Sequence, residues 1–474
     1  MGVPLEPDDG QMRALLEAAG SFVREHIGSL PDQPSWDLDG FEQLVAAMRE
    51  PPPEGGREID EVLTRFGQAA AKSLNTAGPG YLAYIPGGGL FTAAIADLLA
   101  DAVNRYVGLW FPAPALAQIE QTVVRWLEDL FDYPAEARGI LTTGGSMANF
   151  SAIVAARHAL LGEDFTAGTL YVTEHTHHSI AKAAFIAGIP ARNVRAVPID
   201  AGLRLDPDAL AGMIAADRDA GLKPFFVVAS LGTTNTGAVD PIDAIERVAH
   251  AHGLWLHADA AYGGFFQLTE RGRRAFSGVE RADSITLDPH KGMFLPYGTG
   301  ALLVRHGAAL RAAHSVGEGT AYLQDLAAED ELPNFTDYGP ELSRDFRGLR
   351  VWLPLQLHGV AAFRDALDEK LDLTRFLYEG LLEIPDLEVP WEPELSIVAF
   401  RYRPGAPDAD APDADALNRR LLEAINASRR IFCSSTVVDG RFTLRACIVS
   451  HRTHRDRIAE ALEIIRRAAK DLAG

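Results

Sequence analysis

Short, largely apolar runs alternate with amphipathic helical stretches through the middle of the chain. The runs fall at residues 170–173, 225–229, 254–258, 284–287 and 301–304. Continuous apolar character, unlike strict alternation, is the mark of strands buried on both faces. Asp206-Pro207 and Asp240-Pro241 each set a capping carboxylate before a proline, a helix-start signal. The first leads into Leu210, Met213 and Ile214. The second leads into Ile242, Ile245, Val248 and Ala249 on one face, with Gly253 closing the helix. Strand and helix in alternation predict an α/β domain with a mostly parallel sheet. Residues 1 to about 85 read differently: Met12, Leu15, Leu16, Ala19, Phe22 and Val23 recur at helical spacing, a Pro/Gly break follows at 51–56, and strand signal is sparse. Such a segment needs another surface to pack on. From about residue 360, strand candidates at 396–402 and 442–449 flank a Pro/Asp/Ala-rich loop at 404–412. A last helix carries Ile458, Leu462, Ile465 and Leu472, so a smaller α+β domain is expected. The expected divisions are 1–85, 86–358 and 359–474, with no tandem repeat.

Composition narrows the function. Hydrophobic residues make up 47% and charged residues 23% of the 474, as in ordinary globular proteins. Against 44 Lys+Arg stand 65 Asp+Glu, a net charge of −21 that repels phosphate backbones and anionic lipid. Neither nucleic acid nor a membrane surface is an expected partner. The most apolar stretch, 87–100, is interrupted by Asp97 and falls short of the ~18 residues a membrane span requires. Two cysteines, Cys433 and Cys447, cannot staple a chain of this size, which fits a reducing compartment. The N-terminus shows no basic start followed by an apolar core, and Glu6 stands where a myristoylation signal needs Ser or Thr. A soluble, cytoplasmic protein is expected.

In open α/β sheets, ligands collect beyond the carboxyl ends of the strands, so the residues following each apolar run matter most. The run at 254–258 delivers Asp259-Ala260-Ala261-Tyr262-Gly263-Gly264, and that at 284–287 delivers Asp288-Pro289-His290-Lys291. The run at 225–229 delivers Ser230 to Asn235, including Thr234. The run at 170–173 delivers Glu174-His175-Thr176-His177-His178. Gly144, Gly145 and Ser146 open an Ala-rich helix. They form either an anion site, with free N–H groups and a favourable helix dipole, or a plain Gly-rich turn with a serine cap. No Gly-Lys-Ser/Thr follows, so this is not a nucleotide P-loop. Asp259 and Lys291 stand 291 − 259 = 32 positions apart. An aspartate ending a buried strand needs a partner, and a lysine in a crowded pocket can become a nucleophilic amine. Spacing alone leaves two readings: a structural ion pair, or a pyridoxal 5′-phosphate site. In the second, the phosphate lies on the helix start, Lys291 bonds the cofactor, and Asp259 keeps the ring nitrogen protonated. The histidines at 175, 177 and 178 invite zinc, but the next acidic residue after His178 is Asp200, which leaves a metal site short of ligands. His250, His252 and His257 read as structural.

His-Ala-Asp-Ala-Ala-Tyr-Gly-Gly at 257–264 and Asp-Pro-His-Lys at 288–291 resemble the signatures of the group II pyridoxal-phosphate-dependent amino-acid decarboxylases. That family includes the aromatic L-amino-acid, histidine, tyrosine and glutamate decarboxylases. The resemblance extends to Pro-Gly-Tyr-Leu-Ala-Tyr-Ile-Pro at 79–86, to Trp110 through Glu120, and to Arg-Gly-Leu-Arg-Val-Trp at 347–352, in the family's order. It implies an aspartate-aminotransferase-like fold with a seven-stranded large domain and a small C-terminal domain. It also implies an N-terminal segment wrapped around a partner, hence a homodimer.

Carried over by position, the resemblance makes Lys291 the lysine that bonds the cofactor and Asp259 the ring-nitrogen partner. Ala261 would pack on the ring, Gly145 and Ser146 would hold the phosphate, and Thr234 would contact the cofactor or its adduct. His177 would stack on the ring, with a surface-loop histidine as the bland alternative, and His290 precedes the lysine as in the family. Met147 departs from the polar or acidic residue of many relatives. Tyr322, within Gly319-Thr-Ala-Tyr-Leu, matches the loop tyrosine that protonates Cα, and relatives with phenylalanine there tend toward aldehyde products. Its alternative is a packing residue. Tyr84, Ile85, Trp110 and Phe111 match the substrate-pocket region with apolar and aromatic walls. Ser343 falls where some indole-preferring relatives carry glycine. The expected reaction is α-decarboxylation of an L-amino acid, with an aromatic side chain favoured over a glutamate or aliphatic one. A phosphorylated amino-alcohol lyase on the same cofactor, and more remotely a metal-binding or non-catalytic protein, are the alternatives.

Overall fold

The computed structural model describes residues 4–315, 334–404 and 414–472. Tyr322 and most of the 404–412 loop lie outside them. Seven strands build the larger sheet: β1 (Arg138–Thr142), β2 (Gly168–Val172), β3 (Val194–Ala196), β4 (Lys223–Ser230), β5 (Trp255–Asp259), β6 (Ser284–Leu287) and β7 (Gly300–Val304). Their order is β1-β7-β6-β5-β4-β2-β3. The β2–β3, β2–β4, β4–β5 and β5–β6 pairs are parallel, whereas β7 runs antiparallel to both of its neighbours.

The continuous apolar runs have a direct structural cause. In β4, Val227 and Ala229 join one core while Phe226 and Val228 join the other, and Leu303 and Leu302 divide β7 in the same way. Side chains alternate faces along a strand, so a strand with a core on each side must be apolar at every position. Register aligns Ser230 with Asp259 and Asp259 with Thr286, so three strand ends share one edge.

Asp206 caps its helix as expected, accepting from the N–H groups of Asp208 and Ala209. Asp240 does not cap the next helix, which starts at Ile242 without a side-chain cap. Its carboxylate turns inward instead and accepts from Leu205 N at 2.8 Å and Ser230 N at 2.7 Å. Burial pushes its pKa up to about 6. The loop at 230–240 folds back on the end of β4, since Asp240 N also donates to Ser230 O; this geometry aims the carboxylate at the strand rather than at the helix.

A second, antiparallel sheet orders β8 (Leu387–Glu388), β9 (Ile397–Tyr402), β10 (Ser434–Val438) and β11 (Arg441–Cys447) as β10-β11-β9-β8. The closing helix Arg455–Leu472 packs Ile458, Leu462 and Ile465 onto it. Helix Arg347–Leu382 serves both sheets, with Phe363 and Leu367 in the large core and Leu377 and Leu381 in the small one. The N-terminal helices Asp9–Ser29, Phe41–Ala47 and Ile59–Ala71 contain no fully buried residue. Trp36 tethers them by donating from Nε1 to Asn426 O at 2.7 Å. Among the described residues, no helix is long and apolar enough to cross a membrane.

Glu120, at the end of the 110–120 motif, makes a buried ion pair just before the 347–352 motif and a hydrogen bond within it. Arg344 Nη1 lies 2.5 Å from Glu120 Oε1, both side chains fully inaccessible, and Gly348 N donates to Glu120 Oε2 at 3.1 Å. Removing one member of a buried pair strands the other charge. Glu120→Gln is therefore expected to lower stability by about 3–5 kcal/mol, measured as a fall in the urea midpoint at constant slope.

Candidate active site

Strand ends β1, β4, β5 and β6 and the turn before β7 surround a cavity of about 320 Å³. At β1, Thr142 Oγ1 donates to Gly144 O at 3.0 Å, and the helix Gly145–Leu161 begins with no side-chain cap. Its first N–H groups are thus left for a ligand, beside the positive end of the helix dipole. Glycine is required here. Gly144 has φ 152°, and a Cβ on Gly145 would lie 3.1 Å from Asp288 Oδ2 and 3.2 Å from the Ala261 methyl. Across from it, a Cβ on Gly300 would stand 2.5 Å from the Gly144 backbone.

Asp259 ends β5 with its side chain buried. It accepts from Asn149 Nδ2 at 3.2 Å and from Ala261 N at 3.3 Å. Among the described residues no lysine or arginine pairs with it. The Asp259–Lys291 ion pair, one of the two sequence readings, does not form. Lys291, on the short helix Pro289–Gly292, sets Nζ 2.7 Å from Asp288 Oδ2. A buried carboxylate without a cation is costly, so Asp259 is shaped for a cationic group of a ligand. Asp288 is buried too, and its Oδ1 has no hydrogen-bond partner. His290 Nδ1 lies 2.7 Å from Thr299 O, and its Nε2 faces Asp288 Oδ2 at 3.7 Å. Because a carbonyl only accepts, Nδ1 carries the proton. Burial lowers the pKa of His290, and also that of His177, where the charge of Asp259 partly opposes it.

Gly145, Ser146, His177, Thr234, Asp259, Ala261, His290 and Lys291 all line this one cavity. The expected substrate-pocket residues do not. Tyr84 and Phe111 are more than half exposed, Ser343 is exposed, Trp110 is half-buried against the second core, and Ile85 lies in the first core. Of the histidines that invited zinc, His175 sets Nδ1 3.2 Å from Asn235 Nδ2 and His177 sets Nδ1 2.8 Å from Ser179 Oγ. Among the described residues no cluster of three metal-ligating side chains occurs. Sequence reasoning assigned no role to Asp288, Asn149 or Ser179, all of which line the cavity. Asn149 did leave a signal, since it is a polar side chain one turn beyond Gly145 on an Ala-rich helix.

An amine that can bond an aldehyde, an acid lacking a cation and a helix start lacking an anion meet the requirements of pyridoxal phosphate, and the chain is a pyridoxal-phosphate enzyme. It belongs to the pyridoxal-dependent decarboxylases: the family's conserved domain matches residues 42–403. An aromatic-L-amino-acid decarboxylase from Bacillus atrophaeus is 32% identical over 98% of this chain and 96% of its own length. Tryptophan decarboxylase 1 from Oryza sativa subsp. japonica is 31% identical over 99% and 95%. The solved structure of Oryza sativa TDC with PLP and tryptamine, 28% identical, superposes with a TM-score of 0.93 over the whole of both chains.

Proposed function

We propose that this carboxy-lyase converts an aromatic L-amino acid to its amine and carbon dioxide. The observation carrying this reading is the lining of the cofactor cavity, which among the described residues includes no arginine. A glutamate side chain would leave its carboxylate without a matching fork. The names of the relatives and the tryptamine in the rice structure support the same direction.

Bound in the cavity, pyridoxal phosphate supplies the sink for the electron pair released as carbon dioxide leaves. The chain's residues do the rest. Gly145 and Ser146 hold the phosphate on the helix start. Asp259 would accept a hydrogen bond from the ring N–H and so keep that nitrogen protonated and positive. Asp288 would hold the Lys291 amine in place as the group that bonds the cofactor, with Thr234 and Ala261 confining the ring. His177 covers the ring face. The test is product analysis: purified protein with phenylalanine, tyrosine, tryptophan, glutamate and valine should release amine and carbon dioxide from the aromatic substrates. Release from glutamate or valine alone, or an aldehyde as the first product of a phosphorylated amino alcohol, would reject the reading.

Tyr84 and Phe111, exposed in the single chain, reach a substrate if a second copy closes over them. We infer a homodimer in which Tyr84, Ile85, Trp110, Phe111 and Ser343 shape a composite substrate pocket. The exposed Met12, Leu16, Phe41, Val45, Val62 and Phe66 of the N-terminal helices supply apolar contact area. Sedimentation should give twice 51.2 kDa, and deleting residues 1–60 should abolish the dimer or its solubility. A soluble, active truncated monomer would refute this.

Tyr322 is the proposed donor of a proton to Cα. A phenol supplies that proton within hydrogen-bonding reach, and a phenyl ring of nearly the same shape cannot. Tyr322→Phe should spare cofactor content and raise the aldehyde-to-amine ratio under air. An unchanged ratio with unchanged turnover would pass the role to His177.

A further inference from the structure

A chain of buried polar groups runs from Trp255 to the two residues that face the cofactor ring. Trp255 Nε1 donates to Ser284 Oγ at 2.8 Å, and Ser284 Oγ lies 2.7 Å from His257 Nδ1. His257 Nε2 lies 3.0 Å from Asn149 Oδ1, with Thr286 Oγ1 a longer neighbour at 3.4 Å. The Asn149 amide nitrogen then serves both Asp259 Oδ2, at 3.2 Å, and Ser179 Oγ, at 3.0 Å. Ser179 Oγ in turn lies 2.8 Å from His177 Nδ1.

The carboxylate end of this chain sets its direction, and the indole end agrees with it. An indole N–H is a donor and nothing else, and a carboxylate is an acceptor and nothing else. Ser284 accepts from Trp255, and its remaining lone pair and hydrogen allow either role toward His257 Nδ1. Asp259 decides between them: it compels Asn149 to present its NH2 side, which turns Oδ1 toward His257. His257 must then carry its proton on Nε2 and donate it to Asn149 Oδ1, and Ser284 donates to the bare Nδ1. One amide hydrogen goes to Asp259 and the other to Ser179. The Ser179 hydroxyl, having accepted, donates to His177 Nδ1, which the Ser179 backbone N–H also approaches at 3.3 Å. His177 is thereby left with its proton on Nε2. Burial holds His257 neutral, with a pKa down at about 4, as a one-way relay requires.

We propose that Asn149, oriented by His257, Ser284 and Trp255, is the positioning residue that fixes both the Asp259 carboxylate and the His177 tautomer. This rests on the reading of Asp259 and His177 as cofactor-facing groups. It gives His257 a role beyond packing.

The experiment uses cofactor-loaded protein with 15N-labelled histidine. In the wild type, His257 and His177 should both show a protonated Nε2 and a bare Nδ1; a proton on either Nδ1 would overturn the relay. His257→Leu should weaken pyridoxal-phosphate retention about tenfold, the loss of roughly one hydrogen bond to a charged group. It should also diminish the visible circular dichroism per bound cofactor. His257→Gln keeps an N–H for Asn149 and should restore both. Equal retention and dichroism in the two variants would reduce His257 to packing and sink the proposal. Should His257→Leu fail to fold, Asn149→Ala serves instead, with Asn149→Ser as its conservative partner and the same two readouts. A wild type that binds no cofactor would reject the decarboxylase reading, while the histidine tautomers of the cofactor-free protein would still test the relay.

Discussion

Lys291→Arg is expected to cut decarboxylation by roughly a thousandfold or more, the scale of losing a covalent nucleophile, while the protein stays folded. Arginine preserves the positive charge facing Asp288, 2.7 Å from the amine in the wild type. Its guanidinium is never deprotonated and cannot bond an aldehyde. The substitution therefore separates charge from nucleophilicity. A purely structural Asp288–Lys291 pair would leave turnover nearly intact. Borohydride reduction of the wild type should fix the cofactor on the peptide containing Lys291, and a mass adduct on any other lysine would reassign the role.

Asp259→Asn is expected to retain cofactor and lose rate. The wild-type carboxylate accepts two hydrogen bonds and has no cationic side-chain partner among the described residues, so its charge is available to the ring nitrogen. An ion pair with limited water access shifts a pKa by ~1–3 units, or ~1.4–4 kcal/mol. If that proton controls the chemistry, kcat should fall tenfold to a thousandfold, roughly as transition-state arithmetic requires. Single-turnover rates at matched cofactor occupancy measure it. Wild-type turnover in the asparagine variant would remove Asp259 from the reaction.

Most of the sheet was legible because strands with a core on both faces must be apolar throughout. Residues 284–287 form β6 at the expected bounds, and the runs at β2, β4, β5 and β7 shift by at most two residues. What escaped was short or at an edge. β3 has three residues on the outer edge, and β10, Ser-Ser-Thr-Val-Val, borders solvent and needs little apolar character. The cavity residues were legible for a related reason, since strand ends bring chemistry to one edge wherever the order places them. Their partners were not. Lys291 pairs with Asp288 rather than Asp259 because one helical turn brings residue i+3 back over its cap, a local geometry that outweighs the distant aspartate. Asn149 reaches Asp259 only because its helix lies over β5, and pattern along the chain carries no information about that neighbour.

The abutment of Gly144 against Gly300 also dictates when the enzyme can be assembled. Thr142 pairs with Gly300 in the β1–β7 ladder, and the two glycines are 300 − 144 = 156 residues apart in the chain. A nascent polypeptide has the helix start and its free N–H groups early, but the opposing wall is the last strand of the sheet to leave the ribosome. Closing a loop of that length costs entropy before any contact rewards it. With the phosphate held at this helix start as proposed, capture of the cofactor is expected to be a late event, coupled to completion of the sheet, with the ligand a lock on the finished domain rather than a template for its folding.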